Sequence, residues 1–417
     1  MSESTESTAS SFSAAWSRAE RKFWLARSAP EMYEKAEVGE IDLSTGSPSF
    51  GVSPKVKDAI KARVDDLEPL SYPPANGGAD LRAAIAEFDR RYLGAFYDAD
   101  GVVITYGAMQ ALSNVIGAMT SPGDEVLLPA PFWFQFPNVV TYVKAEPKVV
   151  QTYPGNNFKL TPTLLANAIT PRSRVLVLTN PNNPSGAIYT RDELAALVEV
   201  LKVNRNLVVA SDEVYNLLIP GSSGLEPSPS LCSFEEIKDR VFVVNSMSKN
   251  FAMSGLRVGW IGGTDKAAID RMTQRQRFVS LGVNLYLQAG ALAGIRNTHG
   301  IVGDINKLLV GRRQKAADLL GSIPRVRFRL PEAAYYFWVD VRDYMGCRTR
   351  EGKVIRNDED LATYLKMEID GQPGVSVVTG SSCAMPGYFR ITYAVSEDLF
   401  AEGAKRMKAR LAALVCG

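Results

Sequence analysis

A chain of 417 residues exceeds what one hydrophobic core normally supports, so two domains are expected. Its 47 basic and 45 acidic side chains nearly cancel, and no block of like charge runs through it, which argues against a nucleic-acid or membrane-surface footprint. Only one histidine is present, His299, expected on the surface in a turn. A His-dependent triad or His-ligated metal is therefore not expected, and neither is a metal site.

Met1 to Ser11 is rich in Ser, Thr and Glu without an apolar signal core, so it reads as a disordered start. Phe12, Trp16, Phe23, Trp24, Ala26 and Met32 recur loosely at helical spacing up to about Lys35, which predicts an amphipathic arm or helix pair. An extended segment, Ile41 to Phe50, follows and is broken by Gly46 and Pro48. Tyr72-Pro73-Pro74-Ala75-Asn76-Gly77-Gly78 is a turn-rich loop entering a helix at Ala79 to Arg82. Taken alone, Tyr72 is as much a packing tyrosine as a functional one.

From Gly101 onward apolar strands alternate with helical stretches. The strands fall at 102–105, 125–128, 145–150, 175–179, 207–211 and 241–245, the pattern of a mainly parallel sheet covered on both faces. Ligands of such sheets bind at the carboxyl ends of the strands, and each motif that carries chemistry falls at one of them. Tyr106-Gly107-Ala108-Met109 closes the first strand and opens a helix; Gly107 lets the backbone approach a ligand, and the amides of Ala108 and Met109 make an anion site or a plain turn. Pro131-Phe132-Trp133 follows the next. Asn180-Pro181-Asn182-Asn183-Pro184-Ser185-Gly186 is a rigid turn that fixes an amide side chain. Asp212 ends its strand in apolar surroundings, where a carboxylate is expensive unless it meets a cation, and Tyr215 lies one turn on.

Ser246-Met247-Ser248-Lys249-Asn250-Phe251-Ala252-Met253-Ser254-Gly255-Leu256-Arg257-Val258-Gly259-Trp260 is the stretch that organises the rest. Lys249 among apolar neighbours is desolvated toward the free amine, the form that makes Schiff bases. Ser246 and Arg257 supply a hydroxyl and a fork of donors for a phosphate dianion. Beyond it a helix at 305–320 leads to antiparallel strands at 325–328, 333–340 and 388–393, with a helix at 358–368 before the last. Arg390 stands alone in an aromatic strand, as an anion clamp or a structural ion pair. The cysteines Cys232, Cys347, Cys383 and Cys416 are far apart and form no Cys-x-x-Cys pair, which fits four reduced cytosolic thiols.

The Ser246–Trp260 stretch resembles the Ser-x-x-Lys and Gly-x-Arg-x-Gly signature of the pyridoxal-phosphate enzymes of fold type I, specifically the class I/II aminotransferases, and the other motifs stand in that family's order from about Ile41 to the C-terminus. The resemblance implies an α/β fold: a large domain, 47–305, whose seven-stranded, mainly parallel sheet is sandwiched by helices, and a smaller α+β domain, 306–417, to which the arm at 1–46 contributes. It implies pyridoxal 5'-phosphate bound to Lys249 as an internal aldimine. The phosphate falls to the Gly107–Ala108–Met109 turn, Ser246 and Arg257, with Tyr72 reaching across from the neighbouring subunit of a homodimer with shared active sites. Trp133, or Phe132 as its rival, lies on the pyridine ring, Asp212 pairs with the ring nitrogen, and Asn183 and Tyr215 share the ring oxygen. Gly46 covers the substrate, and Arg390 with Asn183 holds its α-carboxylate. Lys249, Asp212 and Tyr215 are the catalytic set.

By the same resemblance an amino group moves between an L-α-amino acid and a 2-oxo acid in the cytoplasm. An alternative on the same site is β- or γ-elimination, or oxygen-dependent decarboxylation or oxidation, because the loop Gly380 to Gly387 is short, lacks the family's common Phe-Gly pair, and Tyr106 stands where a small or amide side chain is usual. Phe50, Tyr72, Trp133, Tyr335 and Tyr336 are candidate walls of the side-chain pocket, and Arg275 and Arg277 could meet an acidic distal group if they are not on the surface.

Overall fold

The computed structural model describes residues 39–66, 71–222 and 225–416. The aromatic arm expected at 12–35 lies outside the described residues.

The order of elements follows the apolar runs. A short strand β1 (Ile41–Asp42) leads to helices α1 (Pro54–Asp65) and α2 (Ala79–Leu93). The sheet begins with β2 (Val102–Thr105), then α3 (Gly107–Met119), β3 (Glu125–Pro129), α4 (Phe136–Tyr142) and β4 (Glu146–Val150). Next come α5 (Pro162–Ala168), β5 (Ser173–Thr179), α6 (Arg191–Val203), β6 (Val208–Asp212) and β7 (Val241–Ser246). Helix α6 starts where it does because Thr190 and Glu193 form a capping box, each side chain bonding the other's backbone N–H. The chain turns back through β8 (Gly259–Gly262) and continues in α7 (Lys266–Ser280), α8 (Leu285–Arg296) and α9 (Thr298–Gly321). It ends with β9 (Arg327–Phe328), β10 (Tyr336–Asp340), α10 (Asp358–Lys366), β11 (Val375–Ser376), β12 (Val378–Thr379), β13 (Tyr388–Thr392) and α11 (Glu397–Ala412).

Seven strands form the main sheet in the order β2-β8-β7-β6-β5-β3-β4, and β8 alone runs against its neighbours. Strands β2, β6 and β7 are buried at every position, as a sheet covered on both faces requires. Beyond the six expected strands, β8 is the seventh. Its Ser246↔Gly259 and Thr105↔Gly259 pairings bring the ends of β7 and β2 together across one residue. A Cβ on Gly259 would stand 2.5 Å from the carbonyl carbon of Gly107, so only glycine admits that approach. Beneath it, Trp260 Nε1 and Tyr97 Oη both donate to buried Asp89, at 2.8 and 2.7 Å. Burial pushes that carboxyl up to about 7.

A second sheet, β12-β13-β10-β9, is antiparallel, as expected from its alternation with turns. Its register sets Arg390 opposite both Trp338 and Val378. Strand β1 pairs in parallel with β11, and Thr392 N donates to Leu43 O, so the segment after β1 runs beside β13. Helix α9 passes unbroken through position 305, the boundary expected between the domains.

Two expectations are corrected. Cys347 and Cys416 form a disulfide with Cα atoms 4.3 Å apart, so four free thiols was wrong; only Cys232 and Cys383 are free. The pair is brought together by the antiparallel bridge Arg348↔Val415, a contact 67 residues long in sequence that no local spacing discloses. His299 is exposed as expected but lies in the first turn of α9, not in a loop, and faces Arg91 Nη2 at 3.2 Å. No described helix is long and apolar enough to cross a membrane, and the described residues hold no cluster able to bind a metal.

Candidate active site

The carboxyl ends of β2, β5, β6 and β7 open into one cavity of about 480 Å³, closed from the other side by Thr45, Gly46, Tyr336, Val378 and Arg390. Of the residues singled out in the sequence, Gly46, Ala108, Met109, Trp133, Asn183, Asp212, Tyr215, Ser246, Lys249, Arg257 and Arg390 line it. Gly107 does not line it but packs against Arg257, which does.

Lys249 leaves the end of β7 at the cavity floor, and its Nζ donates to the carbonyl of Gly46 at 2.5 Å. Phe251 and Met253 behind it are buried. Burial lowers the pKa of the ammonium, and the charges of Arg390 and Arg257 lower it further against Tyr336 and Asp212. The amine thus stands closer to its free, nucleophilic form than an ordinary surface lysine.

One wall is built to hold an anion. Helix α3 begins at Gly107 with no side-chain cap, so its first amides face the cavity with the positive end of the helix dipole. Gly107 adopts φ +76°, and a Cβ there would meet Arg257 Nη2 at 2.5 Å. The glycine therefore lets the guanidinium lie against the helix start. Arg257 is itself left-handed at φ 56°, held by donation to the carbonyls of Ser254 (2.8 Å) and Tyr106 (3.4 Å). Ser246, Ser248 and Ser254 line the same wall, with Ser254 Oγ 2.7 Å from Ser47 Oγ. Amides, hydroxyls and one guanidinium are the donor set of a phosphate site.

Across the cavity Asp212 is buried. Its Oδ2 accepts from Thr179 Oγ1 at 3.3 Å, and its Oδ1 has no partner. Burial pushes the carboxyl up to about 7, against the nearby backbone N–H of Val214, the Thr179 bond and the charge of Lys249. A buried, unpartnered carboxylate oxygen is what a protonated ring nitrogen would satisfy, so this residue set fits pyridoxal phosphate at both ends: anion cradle and cation acceptor. The adjacent Glu213 takes no part. It points to Ser211 and Ser230, which donate to it at 2.6 Å each, and burial pushes it up to about 8.

Arg390 is only 3 % exposed, and among the described residues no carboxylate pairs with it. Nη1 donates to Asn183 Oδ1 (3.1 Å), Nη2 to Ser44 O (2.6 Å), and Nε has no partner. The structural ion pair is thus not found, and a buried guanidinium retains unused donor capacity beside the cavity. Asn183 Nδ2 in turn donates to Tyr215 Oη at 3.3 Å.

Trp133 lines the cavity, whereas Phe132 is buried in the core against Phe136. Tyr72 is 84 % exposed and does not line this chain's cavity. Of the candidate side-chain walls, Trp133 and Tyr336 are present, but Phe50 lies under Arg312 and Tyr335 turns its hydroxyl to Gly46 O at 2.8 Å. Arg275 and Arg277 are on α7 away from the cavity; Arg275 packs on Gly117. Sequence reasoning missed Thr179 and Phe134, which no motif marks, and gave Tyr336 no role beyond that of a wall. The short loop at 380–387 is pinned from behind: Asp358 accepts from Ser381 N, Ser381 Oγ and Gly387 N at 2.7–3.1 Å.

A family model described as aminotransferase class I and II matches residues 38–407. The chain is 32 % identical over 372 residues to a probable aspartate/prephenate aminotransferase of Rhizobium leguminosarum bv. phaseoli, covering 88 % of this chain and 90 % of that one. It is 30 % identical to an aspartate/prephenate aminotransferase of Nitrosomonas europaea, covering 89 % and 92 %. Among solved structures, the aspartate aminotransferase of Rhizobium meliloti superposes with a TM-score of 0.84 at 30 % identity, over 90 % of this chain and 92 % of that one. The aromatic aminotransferase of Pyrococcus horikoshii does so with 0.80 at 27 %, over 91 % and 97 %.

Proposed function

The chain belongs to the class I and II aminotransferases, pyridoxal-phosphate enzymes of fold type I that move an amino group between an amino acid and a 2-oxo acid, and from that premise we propose how its own residues divide the work. The bound cofactor supplies an electron sink for the bond broken at the substrate Cα. Lys249 Nζ, whose ammonium pKa burial lowers, is the amine that would attach the cofactor and, once displaced, would take the Cα proton and give it up again. Asp212 Oδ1, which has no partner in this chain's described residues, would keep the cofactor's ring nitrogen protonated. The Gly107–Ala108–Met109 turn, Ser246 and Arg257 would hold the phosphate, Trp133 would pack on the ring, and Asn183 and Tyr215 would be the donors to its oxygen. Arg390, already joined to Asn183, receives the α-carboxylate under Gly46. The observation that carries this division is the unpartnered Asp212 oxygen set across the cavity from the Arg257 cradle.

Aspartate, named for several relatives, carries a second carboxylate. Among the described residues of this chain, the cations lining the cavity are Lys249, Arg257 and Arg390, each with a role in this reading, while Trp133, Phe134 and Val378 form the wall beside Arg390. That favours an uncharged side chain. We also read the working form as a homodimer: Tyr72, Phe278, Val279 and Leu281 are exposed apolar residues, and Gly282 packs on Pro73 and Pro74, so they fall on one face. The division at 47–305 and 306–417 belongs to the same reading. The cytoplasmic location does too, although the Cys347–Cys416 disulfide removes the cysteine argument for it.

Incubating the holoenzyme with an amino-acid panel, with and without pyruvate or 2-oxoglutarate, tests the reading. Oxo-acid-dependent amino transfer from neutral or aromatic amino acids supports it. Ammonia release without an acceptor points to elimination, oxygen consumption points to oxidation, and a preference for aspartate overturns the side-chain reading.

A further inference from the structure

Tyr336, the first residue of β10, is fully buried in the cavity wall, where its hydroxyl lies 3.1 Å from that of Tyr215. A Cβ built on Gly46 would stand 2.7 Å from Tyr336 Oη and 3.3 Å from Lys249 Nζ, so phenol and amine look onto the same small space. The other side of the residue is its ring, whose centroid is 4.4 Å from the guanidinium carbon of Arg390. One side chain thus packs on the group assigned to the carboxylate and lies beside the group assigned to the proton. We propose that Tyr336 is a positioning residue for both, its ring setting the plane of the Arg390 fork and its Oη, bonded to Tyr215, holding the proton balance at Lys249; this rests on the functional reading above.

The charges support the geometry. Burial pushes the Tyr336 phenol up, but the charges of Lys249 and Arg390, with the hydrogen bond to Tyr215, outweigh it and hold it below the ordinary phenol value. Burial sends its neighbours Tyr215 and Tyr335 well above that value, so of the three phenols Tyr336 gives up its proton first. In return, Tyr336 favours the protonated form of Lys249. The ring face does a separate task. Arg390 has only neutral acceptors, Asn183 and Ser44, and a cation over an aromatic face is held without consuming a donor that the substrate needs.

Two variants separate the parts: Tyr336→Phe removes Oη and keeps the ring, and Tyr336→Leu removes both. The first readout is a spectrophotometric pH titration of the holoenzyme's visible absorption band. Its midpoint falls by about one pH unit in Tyr336→Phe, because an acidic neighbour of the Lys249 nitrogen is gone. The second is the KM for the best amino acid of the panel, which changes less than about threefold in Tyr336→Phe and rises about tenfold or more in Tyr336→Leu. A titration midpoint at the wild-type value in Tyr336→Phe overturns the proposal, as does an equal rise of KM in both variants. If Tyr336→Leu does not fold, the Phe titration decides alone. A wild-type protein without the visible band overturns instead the functional reading and the proposal with it, a result that cannot be mistaken for an unmoved midpoint.

Discussion

Asp212→Asn separates what the buried carboxylate costs the cofactor-free protein from what it does for the bound one. Its carboxyl goes from 3.8 to about 7 on folding, driven by burial, so the folded state holds a proton that the unfolded chain has already released. The sign follows: the stabilising contribution is complete below pH 4 and is lost as pH rises through about 7. A shift of roughly three units at 1.36 kcal/mol each makes the ionised form cost on the order of 4 kcal/mol. Asparagine removes that charge but still leaves a buried polar atom unpaired, at about 1 kcal/mol or more, so a net gain on the order of 2–3 kcal/mol remains. Urea unfolding of the cofactor-free proteins should therefore show the variant more stable than wild type at pH 8, and the two close together at pH 4. In the holoenzyme the order of merit reverses, because hydrogen–deuterium exchange at the substrate Cα slows strongly while the cofactor stays bound. Parallel stability–pH curves for the two cofactor-free proteins, or wild-type exchange in the variant, would refute the reasoning.

Lys249→Ala should abolish the visible band and borohydride trapping, and a trapped adduct on any other lysine of the wild type would show the assignment to be wrong. Arg390→Ala should weaken binding of an active amino acid by on the order of 2–5 kcal/mol while sparing the matching amine that lacks a carboxylate. Arg390→Lys should recover little, since an ammonium cannot reproduce the fork; equal losses for acid and amine in a spectral titration would make the residue structural. Gly107→Ala forces a left-handed alanine and a Cβ 2.5 Å from Arg257 Nη2, so cofactor affinity measured by equilibrium dialysis should drop about tenfold, and wild-type affinity would mean that the turn does not hold the phosphate.

The main sheet was legible because its parallel strands, β4 with Glu146 and Lys148 apart, are apolar runs too short for helices and spaced by amphipathic stretches. Strand β8 was not, because Gly259-Trp260-Ile261-Gly262 offers two apolar residues between glycines, and it is a strand only through its partners β2 and β7. The cavity was legible where a residue sits at a strand end inside a motif, as Asp212, Lys249 and Asn183 do. It was opaque where adjacency arises from register: Thr179 reaches Asp212 because β5 and β6 pair them side by side. Likewise Phe50 and Tyr335 were as aromatic as Trp133 and Tyr336, and only the packing tells a wall from the core behind it.

The carbonyls of Ser44 and Gly46 accept from Arg390 and Lys249, partners 346 and 203 residues away along the chain. Such contacts bring their reward only after very long loops have closed, and synthesis runs from the amino end. The anion cradle can be complete once β8 has folded, but the segment that covers it has no fixed position until β13 emerges. A nascent chain halted between those points would hold phosphate donors without a carboxylate clamp, so ligand discrimination is acquired later than the anion cradle.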